Sequence, residues 1–158
     1  MARHKLPFSV VYTKARKLRD MFCRSRPLDK LVCTREGCKV CDRLAGAYNC
    51  KVKGPVYKVI CNYDGENYRG ESGRTAYDRL GEHYNYTKNP NAKSYKAQTL
   101  AKHYSLHHNG LAPNLTFEIT DIETNTLKRK IIEAYRIRNE NPTLNDKNEL
   151  DFIKRYMI

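Results

Sequence analysis

The sequence predicts an α+β fold, a small antiparallel three-stranded sheet flanked by helices. Two features carry this reading: the order of hydrophobic periods between residues 54 and 158, and the abrupt change of composition just before them. "PVYKVIC" (55–61) is rich in β-branched and aromatic residues, Asp64-Gly65 is a strong hairpin signal, and "NYRG" begins the returning strand. "SGRTAYDRLGEHYN" then turns helical, with Ser72 as N-cap and Ala76 and Leu80 on one face. A second helix is expected over 93–107. "LTFEITDI" alternates as a third strand, and "TLKRKIIEAYRIRNENP" reads as a helix stopped by Pro142. Strand, strand, helix, helix, strand, helix is the order of a compact α+β sandwich.

Upstream the pattern is different. Residues 1–30 form a basic leader with one helical candidate, Thr13 to Arg24, ended before Pro27. Residues 31–53, "LVCTREGCKVCDRLAGAYNCKVK", have little periodicity and four cysteines, so something other than an apolar core must order them. The organisation expected is therefore leader (1–30), cysteine-rich segment (31–53) and main domain (54–158).

The chain has 158 residues, with 30 Lys and Arg against 17 Asp and Glu, a formal charge of +13. The excess is spread along the chain, which favours polyanionic partners, nucleic acid above all. No run approaches the roughly 18 apolar residues of a membrane span, and "MARHKLPFSV" lacks the apolar stretch of a signal peptide. The protein reads as soluble and intracellular, with no membrane partner. In such a reducing compartment, clustered cysteines bind metal more often than they form disulfides.

Cys33, Cys38, Cys41 and Cys50 contain one close pair, Cys38-x2-Cys41, and two further thiols that can complete a tetrahedral zinc site. Histidines 103, 107 and 108 of "KHYSLHH" are rival ligands. Free buried thiols are the plainer alternative.

In "YRGESGRTAYDRLGEH", Arg79 and His83 are four apart, hence on one helical face. Tyr57 and Tyr68 lie on neighbouring strands of the hairpin and share a sheet face if the register permits. Gly70 is expected to let the backbone turn sharply into the helix. Two phenols, a guanidinium and an imidazole would then converge. Taken singly, the tyrosines are ordinary strand aromatics and Arg79 and His83 a solvated helix face; Glu133 alone would be an ion-pair partner of Arg129 or Arg136.

Taken together and in order, "PVY" (55–57), "YRG" (68–70), the Arg and His of "DRLGEH", Glu133 in "KRKIIEAYRIR" and Asn145 in "NPTLN" resemble the GIY-YIG nucleases over about two-thirds of the chain. Pro55 stands for the first Gly of the motif and Arg69 for its middle Ile. "YRGESGRTAYDRLGEH" and "EAYRIRNENPTLN" are most similar to the endonuclease domains of Penelope-like retroelements. That subgroup often places paired cysteines between the two tyrosine elements; here Cys61 alone is found.

The resemblance implies a divalent-metal-dependent DNA endonuclease, the endonuclease part of a retrotransposon protein, acting in the nucleus beside a reverse transcriptase in the same parent polypeptide. It implies Glu133 as the carboxylate holding Mg²⁺ (or Mn²⁺), Arg79 as the stabiliser of phosphoryl charge, and Tyr57 as the group orienting or deprotonating the attacking water with His83. Tyr68 would position the scissile phosphate, and Arg69, Gly70, Arg74 and Asn145 would contact or frame the nucleic acid. It also points to His103 and a neighbour as partners of cysteines in the structural Zn²⁺ site. The competing reading is a zinc-containing DNA-binding module with a vestigial nuclease site.

Overall fold

The computed structural model describes residues 33–90, 92–93 and 98–146. The helix expected over Thr13 to Arg24 lies outside the described residues. Among those described, the fold is α+β with a four-stranded sheet and three helices. The strands are β1 (Leu44–Ala45), β2 (Pro55–Cys61), β3 (Asn67–Glu71) and β4 (Leu115–Ile122); the helices are α1 (Ala76–Lys88), α2 (Thr99–His107) and α3 (Thr126–Glu140).

β2 is central, and Val56, Tyr57, Val59 and Cys61 on it are wholly buried. It pairs antiparallel with β3 on one side and β4 on the other. Gly65 closes the β2–β3 hairpin at a φ of +80°, a conformation that costs glycine little.

The expectation of a three-stranded antiparallel sheet is corrected at one edge. β1, from the cysteine-rich segment, pairs parallel with β4, so the sheet is mixed and ordered β1-β4-β2-β3. A two-residue strand carries no periodic signal. It exists because a 3₁₀ turn at Cys41–Arg43 delivers the chain to the open edge of β4. The segment also contributes Val40 and Cys50, both wholly buried, to the same core as Tyr57, Leu80, Leu100 and Phe117.

α1 begins three residues later than its apparent signal. Thr75 is the N-cap, accepting from the Asp78 amide at 3.2 Å, whereas Ser72 accepts from the Arg74 amide within the preceding turn. Two amides of the first turn, Ala76 and Tyr77, donate to the carbonyls of Val52 and Cys50, each at 2.8 Å. Four N–H groups at a helix start lack intrahelical acceptors. The cysteine-rich segment thus satisfies two of them.

α3 is capped by Asn125 and ends at Asn141, which takes the left-handed conformation before Pro142. Strand alternation sends Tyr57, Val59 and Tyr68 toward Leu80 of α1 and Leu100 of α2. It sends Arg69 and Glu71 to the other face, where they pair with Glu140 and Arg129 of α3. Beyond α3 the chain returns to the free edge of β3, where the Leu144 amide donates to Asn67 O at 3.0 Å. A covered edge resists pairing with other chains. No described helix is long and apolar enough to cross a membrane.

Candidate active site and metal centres

The β2–β3 register pairs Tyr57 with Gly70 and Val59 with Tyr68, so the two phenols occupy one face as diagonal neighbours. Gly70 lies within β3, not in a turn as the sequence suggested, and its role is clearance. A Cβ there would lie 2.6 Å from Tyr57 Oη and 2.9 Å from Tyr68 Cε1.

From α1, one turn apart, Arg79 and His83 reach the same hydroxyl. Arg79 Nε–H donates to Tyr57 Oη at 2.9 Å, and His83 Nε2 lies 2.9 Å from that oxygen. The Tyr68 and Tyr57 rings each lie 5.5 Å from the His83 ring. Four of the predicted site residues are thereby brought together.

Burial, then the neighbouring Tyr68, pushes the Tyr57 phenol well above its ordinary range despite Arg79. Burial, then the charge on Arg79, lowers His83 to about 3. Both groups are neutral near pH 7. Burial also opposes the charge on Arg79, but Tyr57 and Glu82 outweigh it and hold the guanidinium protonated.

Glu82 is the residue sequence reasoning passed over. It accepts from Arg79 Nη1 at 3.0 Å and takes Arg74 in a bidentate pair at 2.6 and 2.8 Å; the Tyr86 hydroxyl also donates to it, at 3.4 Å. Those partners, Arg74 first, hold its carboxyl below the usual range. The i, i+3 spacing of Arg79 and Glu82 was the available signal, but such pairs are common on solvated helices.

Glu133 is half-buried on α3, and its charge is felt at Tyr57, where it opposes ionisation of the phenol. Of the arginines on the same helix, Arg129 pairs with Glu71, and Arg136 with Asp121 and Glu140. A carboxylate whose charge reaches Tyr57 suits a hard cation that keeps most of its waters.

The remaining predicted contacts are structural in this geometry. Arg69 is buried on the opposite face of β3 from Tyr68, bonded to Glu140 and Thr120. Its guanidinium has no path to a phosphate at Tyr68. Asn145 accepts from the Arg69 amide at 2.7 Å and donates to its carbonyl at 2.9 Å, acting as a one-residue strand on the sheet edge. Arg74 is exposed but held by Glu82.

The four cysteines converge as the spacing suggested. One Sγ from each of Cys33, Cys38, Cys41 and Cys50 lies within 4.8 Å of every other, and the Cys33 and Cys50 sulfurs are 3.4 Å apart. A tetrahedral four-thiolate zinc site has S···S separations of about 3.8 Å. The Cys33 thiol is lowered to about 7, first by a backbone hydrogen bond at Arg35, while burial pushes Cys41 and Cys50 up. A dication at their centre is what allows such a mixed set to ionise together. The cluster fits zinc.

The histidines do not compete for that site. His103 and His108 gather with Cys61 and Asp64 in a second donor set, again with ligand atoms within 4.8 Å of one another, and His107 is not part of it. Asp64 Oδ2 lies 2.8 Å from His108 Nε2 and 3.1 Å from His103 Nε2. His103 Nε2 is nevertheless buried and not directed for a hydrogen bond. Close but misaligned donors are the relation expected of co-ligands. Asp64 read as a turn former in the sequence; the Cys61-x2-Asp64 spacing was the signal for a ligand pair.

Neither a protein-family model, nor a curated protein, nor a solved structure matches the chain.

Proposed function

We propose that the protein is a divalent-metal-dependent endonuclease that hydrolyses phosphodiester bonds in DNA. The observation that carries this is the Tyr57 hydroxyl, buried and bonded at once by Arg79 and His83, beside Tyr68 and within reach of the Glu133 charge. A buried hydrogen-bond set of this kind is demanding to assemble, and titratable groups shifted by burial and a charged neighbour cluster at functional sites.

Tyr57 fixes Arg79 and His83 in position. Arg79, locked between Tyr57 and Glu82, presents a charged planar fork that suits the oxygens of a phosphoryl group gaining negative charge. Tyr68, half-buried on the same face, reaches toward the substrate phosphate. A proton released by the attacking water at Tyr57 Oη can pass onward, as the phenol's own proton moves to His83 Nε2. Held by Glu133, Mg²⁺ or Mn²⁺ would supply Lewis-acid stabilisation of the phosphate and of the departing oxygen.

The sequence resemblance supports placing this domain in the GIY-YIG nucleases, in a retrotransposon polypeptide with a reverse transcriptase and a nuclear site of action. The cysteine-rich segment supports a DNA-binding face. Its Arg35 stacks on Tyr77 at 3.9 Å and its Arg43 on Tyr84 at 4.4 Å, which arranges cations in a row along α1.

The deciding experiment is supercoiled plasmid nicking with Mg²⁺, with EDTA, and with Glu133→Ala and Arg79→Ala. The nuclease reading requires metal-dependent nicking by the parent and loss of nicking, with DNA binding kept, in both variants. Binding without cutting under Mg²⁺ and Mn²⁺ would instead establish the binding module.

A further inference from the structure

His83 contacts Tyr57 through Nε2, and the proton inventory fixes which way that bond runs. Tyr57 Oη already accepts from Arg79 Nε–H. If the phenol donates its one proton to His83 Nε2, each hydrogen in the chain Arg79, Tyr57, His83 is used. In the reverse sense the Tyr57 proton would be left buried and unpaired. Neutral His83 therefore carries its proton on Nδ1.

That Nδ1 is buried and finds no partner among the described residues, and His83 is only 3% exposed. A buried N–H without an acceptor costs roughly the full desolvation penalty of the group, a cost that an acceptor bound beside it would remove. His83 also forms one wall of a recess of about 20 Å³ shared with Tyr68, Gln98, Thr99 and Leu100. Room of that size holds one water or one oxygen of a larger anion.

The opposite wall is the start of α2. Gln98 is its N-cap and makes no side-chain capping bond. Thr99 and Leu100, the first residues of a nine-residue helix, thus line the recess with no side-chain acceptor supplied by the cap, and the helix dipole favours negative charge there. Among the described residues, no carboxylate lines the recess. Arg79, one turn before His83, adds positive charge.

We propose that this recess is an oxyanion subsite, in which His83 Nδ1–H and the first amides of α2 hold one non-bridging phosphate oxygen. Assigning that oxygen to the DNA strand rests on the nuclease reading above; the anion site itself does not. An anion at Nδ1 favours the imidazolium that forms when Nε2 takes the Tyr57 proton. A histidine held far below neutrality in the free protein becomes a competent proton acceptor only when substrate fills the recess.

The test is nitrogen NMR of the zinc-loaded full chain, titrated with inorganic phosphate at constant ionic strength and then with a short DNA duplex. The expected result is a pyrrole-type Nδ1 and a pyridine-type Nε2 at His83, with saturable phosphate shifts at Nδ1 and at the Thr99 and Leu100 amides. Thr99→Pro deletes one donor at the first helical position, where proline is well tolerated, and Gln98 already has the extended backbone (ψ 132°) that precedes proline. It should weaken phosphate binding by about 10-fold, the loss of one charge-assisted bond. DNA should displace phosphate from the recess.

Phosphate shifts without plasmid nicking would keep the oxyanion subsite and overturn the nuclease reading. Nicking with no phosphate or DNA shift at these nuclei, or an Nε2–H tautomer, would overturn the subsite and leave the nuclease. If Thr99→Pro does not fold, the parent titration alone decides.

Discussion

Gly70 and Tyr57 face each other across β2 and β3 so closely that a methyl group on residue 70 would stand 2.6 Å from the Tyr57 hydroxyl. The phenol cannot swing away, because Arg79 and His83 hold its oxygen. Gly70→Ala is therefore expected to cost about 1–3 kcal/mol, as overpacking of a filled core does. Nicking should fall by about two orders of magnitude, because a displacement near 1 Å at a catalytic group has that effect. Thermal melts and plasmid nicking check both; a variant that cuts like the parent would show that the glycine has another purpose.

Glu82 is placed to act through Arg79 rather than on the substrate, since it holds that guanidinium from behind while also binding Arg74. Glu82→Gln should lower kcat by about 10- to 100-fold by loosening the fork. The substitution removes a negative charge from a basic protein, so DNA affinity should stay equal or tighten. A split of kcat against KM distinguishes the cases, and weaker binding with an unchanged kcat would count against positioning.

The site was legible where chemistry and spacing coincide in a short stretch. Tyr57, Tyr68, Arg79 and His83 fall together because a hairpin has fixed register and a helix repeats every four residues or so, and both periods can be read from letters. Arg69 was misread for the complementary reason. A basic residue beside a motif looks like a phosphate contact, but alternation sends it to the other face of β3, and its partner Glu140 lies 71 residues away. β1 was invisible because its two residues are held by the edge of β4, not by any local preference. His103 and His108, read as rival ligands of the four-cysteine cluster, gather with another cysteine, Cys61, and with Asp64, because ligand sharing depends on tertiary proximity. Cys61 and Asp64 meet them only after β2 and α2 have packed.

Protonation of His83 sets a pH dependence of stability with a definite sign. Burial and the Arg79 charge hold it at about 3 in the folded chain, against 6.5 for a free imidazole. Between those values the unfolded chain binds the extra proton, so stability is complete above about pH 6.5 and is lost as the pH falls toward 3. The loss reaches the order of 3 kcal/mol at pH 4. Comparing melts at pH 7 and pH 4, the parent should show a larger drop in Tm than His83→Gln, which lacks the titrating group. Equal drops would mean that His83 does not control the acid transition.

Two donor sets, each able to hold a metal ion, are expected to take up two zinc ions per chain, and these should matter differently. Cys33, Cys38, Cys41 and Cys50 close the loop whose Cys50 and Val52 carbonyls accept the first amides of α1, the helix that carries Arg79 and His83. Lys39 of the same loop donates to Asn85 at 2.9 Å farther along that helix. Loss of this ion should therefore loosen the start of α1 and suppress nicking even though no cysteine is near the phosphate. The second set, Cys61, Asp64, His103 and His108, ties the β2–β3 turn to the end of α2, so its loss should lower Tm more than it lowers the rate. Metal analysis of purified protein is expected to find about two zinc per chain. It should find about one in both Cys38→Ser and His108→Ala, and about two in His107→Ala, whose ring lies outside the set. One zinc in the parent, held by thiols and histidines jointly, would contradict the division into two centres.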